Sequence, residues 1–170
     1  MKSFCFDIET FPNLFMVTFL DIDSEEEKTL TIYKNNDERI LLNEFLKDEM
    51  LLIGYNCISY DSPLLVYIQS NLESKTLNKD LYKLSQNLID DKSRTDGAIR
   101  KLRYPKDVIR HQMDLMKIMA FDKLGIGLKQ VAINLKWHKI QDLPLPYDHK
   151  VLPKDIPLIK DYNKNDTRIT

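Results

Sequence analysis

The chain has no excess of positive charge. Its 25 Lys and Arg are offset by 26 Asp and Glu, a net charge of −1, so it has no general field for gripping nucleic acid. That excludes tight binding by charge alone and nothing more, because an enzyme whose carboxylates hold metal ions draws part of its positive field from the ions. Cysteine is scarce. Cys5 and Cys57 are the only two, which predicts buried thiols in a reducing compartment and no disulfide framework. The opening stretch MKSFCFDIET reaches an acidic residue at position 7, so a signal peptide is not expected. No apolar run approaches the about 20 residues of a membrane span. Repeats and low-complexity segments are also missing. The expectation is a soluble, cytoplasmic chain with no membrane role.

What is there is an ordinary core-forming composition, 43% apolar and 30% charged over 170 residues, enough for one domain. Residues 2–9 read as a strand turning at Phe11-Pro12-Asn13, with Leu14 to Ile22 and Lys28 to Tyr33 as the next two strands around a charged hairpin loop at 23–27. Asp37 reads as the N-cap of a helix carrying Ile40, Leu41, Leu42, Phe45 and Leu46. Met50 to Gly54 is a short apolar run suited to a buried strand. Pro63 fits the first turn of a helix capped by Ser62 or Asp61, and a further helix is expected over 77–89. Val108 to Met113 reads as a fifth strand, ending at Asp114. Residues 116–121, the segment LKQVAINLKW and residues 155–169 read as helices, and 138–152 as a loop. This predicts an α/β protein with a mixed five-stranded sheet, three antiparallel strands first, and helices on both faces. By analogy of element order, that is the ribonuclease H-like architecture.

Four carboxylates stand out. Asp7 and Glu9 lie two apart on the first strand, so they share a face while Phe4, Phe6 and Ile8 take the other. Like charges that close repel unless a cation lies between them, and all-oxygen clusters suit Mg²⁺ or Mn²⁺. Asp23-Ser24-Glu25 has the same spacing in an acidic, turn-like stretch where no chemistry is expected. Asp61 follows the apolar strand, in Asn56-x-x-x-Tyr60-Asp61, and reads equally well as a helix cap. Tyr162 and Asp166 are four apart on the last helix and share its face. The same spacing recurs at Tyr33 and Asp37. His111, His138 and His149 read as structural or solvent-facing.

Taken together and in order, D-x-E, N-x(3)-Y-D and Y-x(3)-D resemble the three motifs of the DEDD superfamily of 3′–5′ exonucleases. The tyrosine subclass is indicated, because Asp161 stands where the other subclass has histidine. FDIET, GYN…YD and DYNKNDTRIT, with Leu115 to Lys117 and the LKQVA segment, resemble the proofreading domains of family B, phage-type DNA polymerases. The resemblance implies two divalent ions, Mg²⁺ or Mn²⁺, held by Asp7, Glu9, Asp61 and Asp166. Asp7 would bridge them and Tyr162 would orient the attacking water. It implies a single-stranded DNA 3′ end as substrate, touched by Thr10, Phe11, Asn56 and Tyr60. The basic run around Arg94, Arg100, Lys101 and Arg103 is the candidate for phosphate contacts. The same catalytic pattern serves RNA-trimming enzymes, and a non-catalytic nucleic-acid-binding module of the same fold is the alternative of another class. A polymerase or replication proteins are the expected partners, in a bacterial or phage-infected cell, for a stand-alone nuclease or the first part of a longer polymerase.

Overall fold

The computed structural model describes residues 1–90, 111–119 and 125–170. Its centre is strand β1 (Lys2–Phe11), where alternate side chains Phe4, Phe6 and Ile8 are buried on one face. Strand β2 (Leu14–Asp21) returns antiparallel, with Asp7 opposite Thr18 and Glu9 opposite Met16. Strand β3 (Glu27–Tyr33) continues the meander, and Thr18 meets Thr29 hydroxyl to hydroxyl at 3.0 Å. On the other edge of β1, strand β5 (Met50–Gly54) pairs parallel, and β6 (Gln112–Asp114) pairs parallel to β5.

Among the described residues the sheet has six strands, not the five expected, in the order β4-β3-β2-β1-β5-β6. The extra strand is β4 (Asn36–Asp37). The chain turns after Tyr33 through Lys34, at φ 46°, and folds back so that Asp37 pairs with Ile32. Asp37 is therefore not the helix cap. Glu38 takes that position, while the Asp37 carboxylate accepts from Arg39 Nε at 2.9 Å. Strand β6 begins at Gln112, and residues 108–110 of the expected strand lie outside the described residues.

Helices α1 (Arg39–Phe45), α2 (Asp61–Ser70) and α3 (Leu77–Ile89) cover one face of the sheet. Asp61 opens α2 as its first residue, with Tyr60 at the cap position. Helix α4 covers Leu115–Met119, and residues 120 and 121 of the expected helix lie outside the described residues. Helix α5 (Leu128–Asn134) follows, and α6 (Ile156–Ile169) comes last, after a single 3₁₀ turn at Pro153–Asp155.

Two cores result. Phe4, Phe6, Ile8, Phe15, Val17 and Phe19 pack against leucines of α1, α2 and α3, and full burial of each such side chain contributes about 1.5–3 kcal/mol. On the opposite face Phe11, Leu14, Met16 and Tyr33 pack with Val151 and Ile159, which seats α6 over β1 and β2. Asn13 fixes the approach to that helix. Its Nδ2 donates to the Val151 carbonyl at 2.9 Å and its Oδ1 accepts the Val151 N–H at 2.8 Å. The Tyr33 hydroxyl donates to the same carbonyl. Glu27 anchors the far end by accepting from Lys164 and Arg168. Both cysteines are free. Cys57 is buried, whereas Cys5, expected to be buried, is only half so. Among the described residues no helix is long and apolar enough to cross a membrane.

Gly54, at the end of β5, tests this packing. A Cβ there would lie 2.4 Å from the Cys57 Cβ and 3.0 Å from a Phe6 ring carbon. Gly54→Ala should cost about 1–3 kcal/mol of stability, seen as a lower urea midpoint. An unchanged midpoint would mean that the turn into Cys57 yields freely.

Candidate metal centre

The period-two alternation of β1 turns Asp7 and Glu9 toward α6, away from the phenylalanine core. On α6, Tyr162 and Asp166 stand one turn apart and face the strand. One carboxylate oxygen each from Asp7, Glu9 and Asp166 lies within 4.8 Å of the other two. Three residues from opposite ends of the chain therefore form one oxygen cluster. Asn163, also on α6, donates from Nδ2 to Asp7 Oδ2 at 2.8 Å. Asn165 donates to Asp166 Oδ1 at 3.4 Å and accepts from the Trp137 indole at 3.0 Å.

Asp61 is 4% exposed at the start of α2. It is not one of the three clustered oxygens, but its charge is felt at Glu9. The loop leading to it is held from β6. The Asp114 carboxylate accepts the Asn56 N–H at 3.0 Å and the Ile58 N–H at 3.2 Å. Asn56 itself has a left-handed backbone, φ 60°, a conformation that asparagine tolerates better than most residues.

The electrostatics follow from burial and crowding. Burial and then the Asp166 charge push Asp7 from its ordinary 3.8 up to about 8, against the opposing Asn163 hydrogen bond. Burial raises Glu9 well above its usual range, with Asp7, Asp166 and Asp61 adding to it. Asp61 rises for the same reasons, burial first and then Asp7. Asp166 is raised by burial, and its hydrogen bond to Tyr162 works the other way. Burial and the neighbouring carboxylates keep the Tyr162 phenol protonated far above neutrality. Among the described residues, none of the ion pairs includes Asp7, Glu9, Asp61 or Asp166. An all-oxygen cluster of half-buried, mutually repelling carboxylates fits a hard divalent cation.

The look-alike spacings fall elsewhere. Asp23 and Ser24 lie in the β2–β3 turn, where their N–H groups bond to Asp21 Oδ1. Tyr33 is spent on Val151 and Asp37 on Arg39. His149 meets Asp155 at 3.3 Å, His111 meets Glu49, and His138 lies against Trp137. None joins the cluster.

The residues expected to touch substrate divide. Asn56 and Tyr60 are half-buried on the loop before Asp61. Thr10 is buried, with its side chain against the Tyr60 phenol. Phe11 is 1% exposed, and its ring belongs to the second core with Leu14 and Met16. Arg94, Arg100, Lys101 and Arg103 lie outside the described residues. Sequence reasoning gave no role to Asn163 or to the Asp114 carboxylate. The available signal was Asn163 and Asn165 inside a helix, where asparagine is disfavoured unless its side chain has other work.

The raised carboxyl groups give a pH test in chelator. A carboxyl group whose folded pKa exceeds its unfolded value adds stability below the unfolded value, near 4, and loses it as pH rises through the folded value. For Asp7 that window closes near 8. Metal-free protein should melt at progressively lower temperature from pH 6 to pH 8.5. Asp7→Asn should flatten that slope and raise the melting temperature at pH 8. A variant that melts lower than wild type throughout would show that Asp7 is not electrostatically strained.

A cavity of about 150 Å³ opens beside Tyr162 and Asp166, walled by Leu128, Ala132, Ile140 and Leu143 together with the polar Lys129, Gln141 and Asp142. Comparison with protein-family models, with curated proteins and with solved structures gave no match.

Proposed function

We propose that the protein is a metal-dependent 3′–5′ exonuclease that removes nucleotides from the 3′ end of single-stranded DNA. The observation that carries the reading is the Asp7, Glu9 and Asp166 oxygen cluster with a neutral tyrosine one helical turn from Asp166. The succession β3-β2-β1-β5-β6, antiparallel then parallel, supports a ribonuclease H-like assignment.

Asp7, Glu9 and Asp166 would hold one divalent ion, and Asp61 with Asp7 a second. When bound, such ions supply a nucleophilic water at neutral pH and stabilise charge on the leaving oxygen. The protein's own groups do the rest. Tyr162 stays protonated, so it orients the attacking water by hydrogen bonding and does not remove its proton. Asn56 and Tyr60 sit on the loop that ends in Asp61, where they would meet the terminal nucleotide. The apolar side chains Leu128, Ala132, Ile140 and Leu143 in the adjoining cavity would meet the face of a base. Backbone groups at Thr10 and the basic residues Arg94, Arg100, Lys101 and Arg103 would meet sugar and phosphates, with Phe11 supporting from the core. A polymerase or replication protein is the partner this reading implies.

The test is release of mononucleotides from 3′-labelled DNA and from a matched RNA strand, with Mg²⁺, Mn²⁺ or EDTA. Wild type should act on DNA only with metal, and Asp7→Ala should be inactive. Tyr162→Phe should fold normally and lose roughly 10- to 100-fold in rate, as for groups that orient a metal site's contents. Undiminished release by Asp7→Ala would refute the assignment. Preference for the RNA strand would make the substrate RNA. DNA binding in chelator without turnover under any metal would make the chain a binding module.

A further inference from the structure

We propose that Asn163 is the residue that positions Asp7 for metal, holding one carboxylate oxygen without cancelling the charge. This rests on the metal-binding reading above and adds to it a specific device on α6.

Asn163 is fully buried, one residue after Tyr162. Its Nδ2 donates to Asp7 Oδ2 at 2.8 Å across 156 positions of sequence. Its Oδ1 is buried with no partner among the described residues. The two facts belong together. The ionised, metal-binding form of a carboxylate only accepts hydrogen bonds, so that form requires the amide NH₂ turned toward β1, as it is here, and the amide's own oxygen is left without a partner among the described residues. A leucine would fill the same space with no stranded oxygen. The amide's specific gain is the bond to Asp7.

The choice of a neutral donor has a chemical consequence. A lysine or arginine could also donate to Asp7, but its charge would neutralise the carboxylate and compete with a cation. Of the three basic residues of the same helix, Lys160 is exposed and the other two are directed elsewhere. Lys164 and Arg168 both end on Glu27, at 2.7 and 2.6 Å. Asp7 thus receives a hydrogen bond, and the negative charge of the Asp7, Glu9 and Asp166 cluster stays available. With Oδ2 held, the carboxylate cannot swing away from Glu9 and Asp166. Groups that orient ligands in this way are commonly worth 10- to 100-fold in metal affinity.

The experiment is calorimetric titration of Mn²⁺ into the metal-free full chain at one fixed pH, with melting temperatures recorded alongside. Asn163→Leu and the smaller Asn163→Ala remove the donor. Thr167→Val removes a buried hydrogen bond on the same helix, from Thr167 Oγ1 to the Asn163 carbonyl at 2.8 Å, without touching Asp7. We expect about 10- to 100-fold weaker Mn²⁺ binding in a folded Asn163 variant and wild-type affinity in Thr167→Val. Affinity within twofold of wild type in either folded Asn163 variant overturns the proposal. So does an equal loss in Thr167→Val, or failure of both Asn163 variants to fold, because either reduces Asn163 to helix packing. No Mn²⁺ binding by wild type would instead refute the metal reading on which the proposal stands.

Discussion

Mutual repulsion among crowded, half-buried carboxylates is the constraint around which this molecule is arranged. Asp7, Glu9 and Asp166 bring oxygens within 4.8 Å of one another in a site that also pushes their proton affinities up. Left to themselves these groups would move apart. They cannot, because β1 is paired on both edges, antiparallel to β2 and parallel to β5. Nor can α6 lift away. Asn13 and Tyr33 hold Val151 in the segment that leads into it, its own Ile159 is buried, and Glu27 grips its last turn. The strain is offset by the phenylalanine and leucine core on the far side of the sheet.

The two faces of β1 therefore have separate duties. Phe4, Phe6 and Ile8 contribute stability through burial, and Asp7 and Glu9 present charge to α6. Helix α6 is divided in the same way. Ile159 and Thr167 face inward, Tyr162 and Asp166 face the carboxylates, and Lys164 and Arg168 reach outward to Glu27. A stabilising change at the cluster, such as removing a charge, would work against the proposed metal binding. That is the usual opposition between stability and function at a site.

Much of this was legible in the sequence because it depends on short periods. The alternation of Phe6, Asp7, Ile8 and Glu9 announces a strand with two unlike faces. The four-residue step from Tyr162 to Asp166 announces a shared helix face. Order along the chain then separated Asp7 and Glu9 from the identical spacing at Asp23 and Glu25, which the structure shows in a turn folded over Asp21. What was not legible depends on contacts between distant residues. The bond from Asn163 to Asp7, and the grip of Asp114 on Asn56 and Ile58, leave no local pattern. The two-residue strand at Asn36 is too short for any periodicity and exists because Lys34 turns the chain back on β3. Phe11 shows the same limit. Its position beside the first motif suggested a stacking surface, but the second core takes the ring.

The most direct test of the account is where a metal binds. Crystals of the full chain soaked in Mn²⁺ should give an anomalous scattering peak bounded by Asp7, Glu9 and Asp166, and Asp7→Asn crystals treated identically should lose it. Well-diffracting wild-type crystals with no peak there, or with Mn²⁺ only at surface carboxylates, would contradict the claim that this cluster is built to hold a cation.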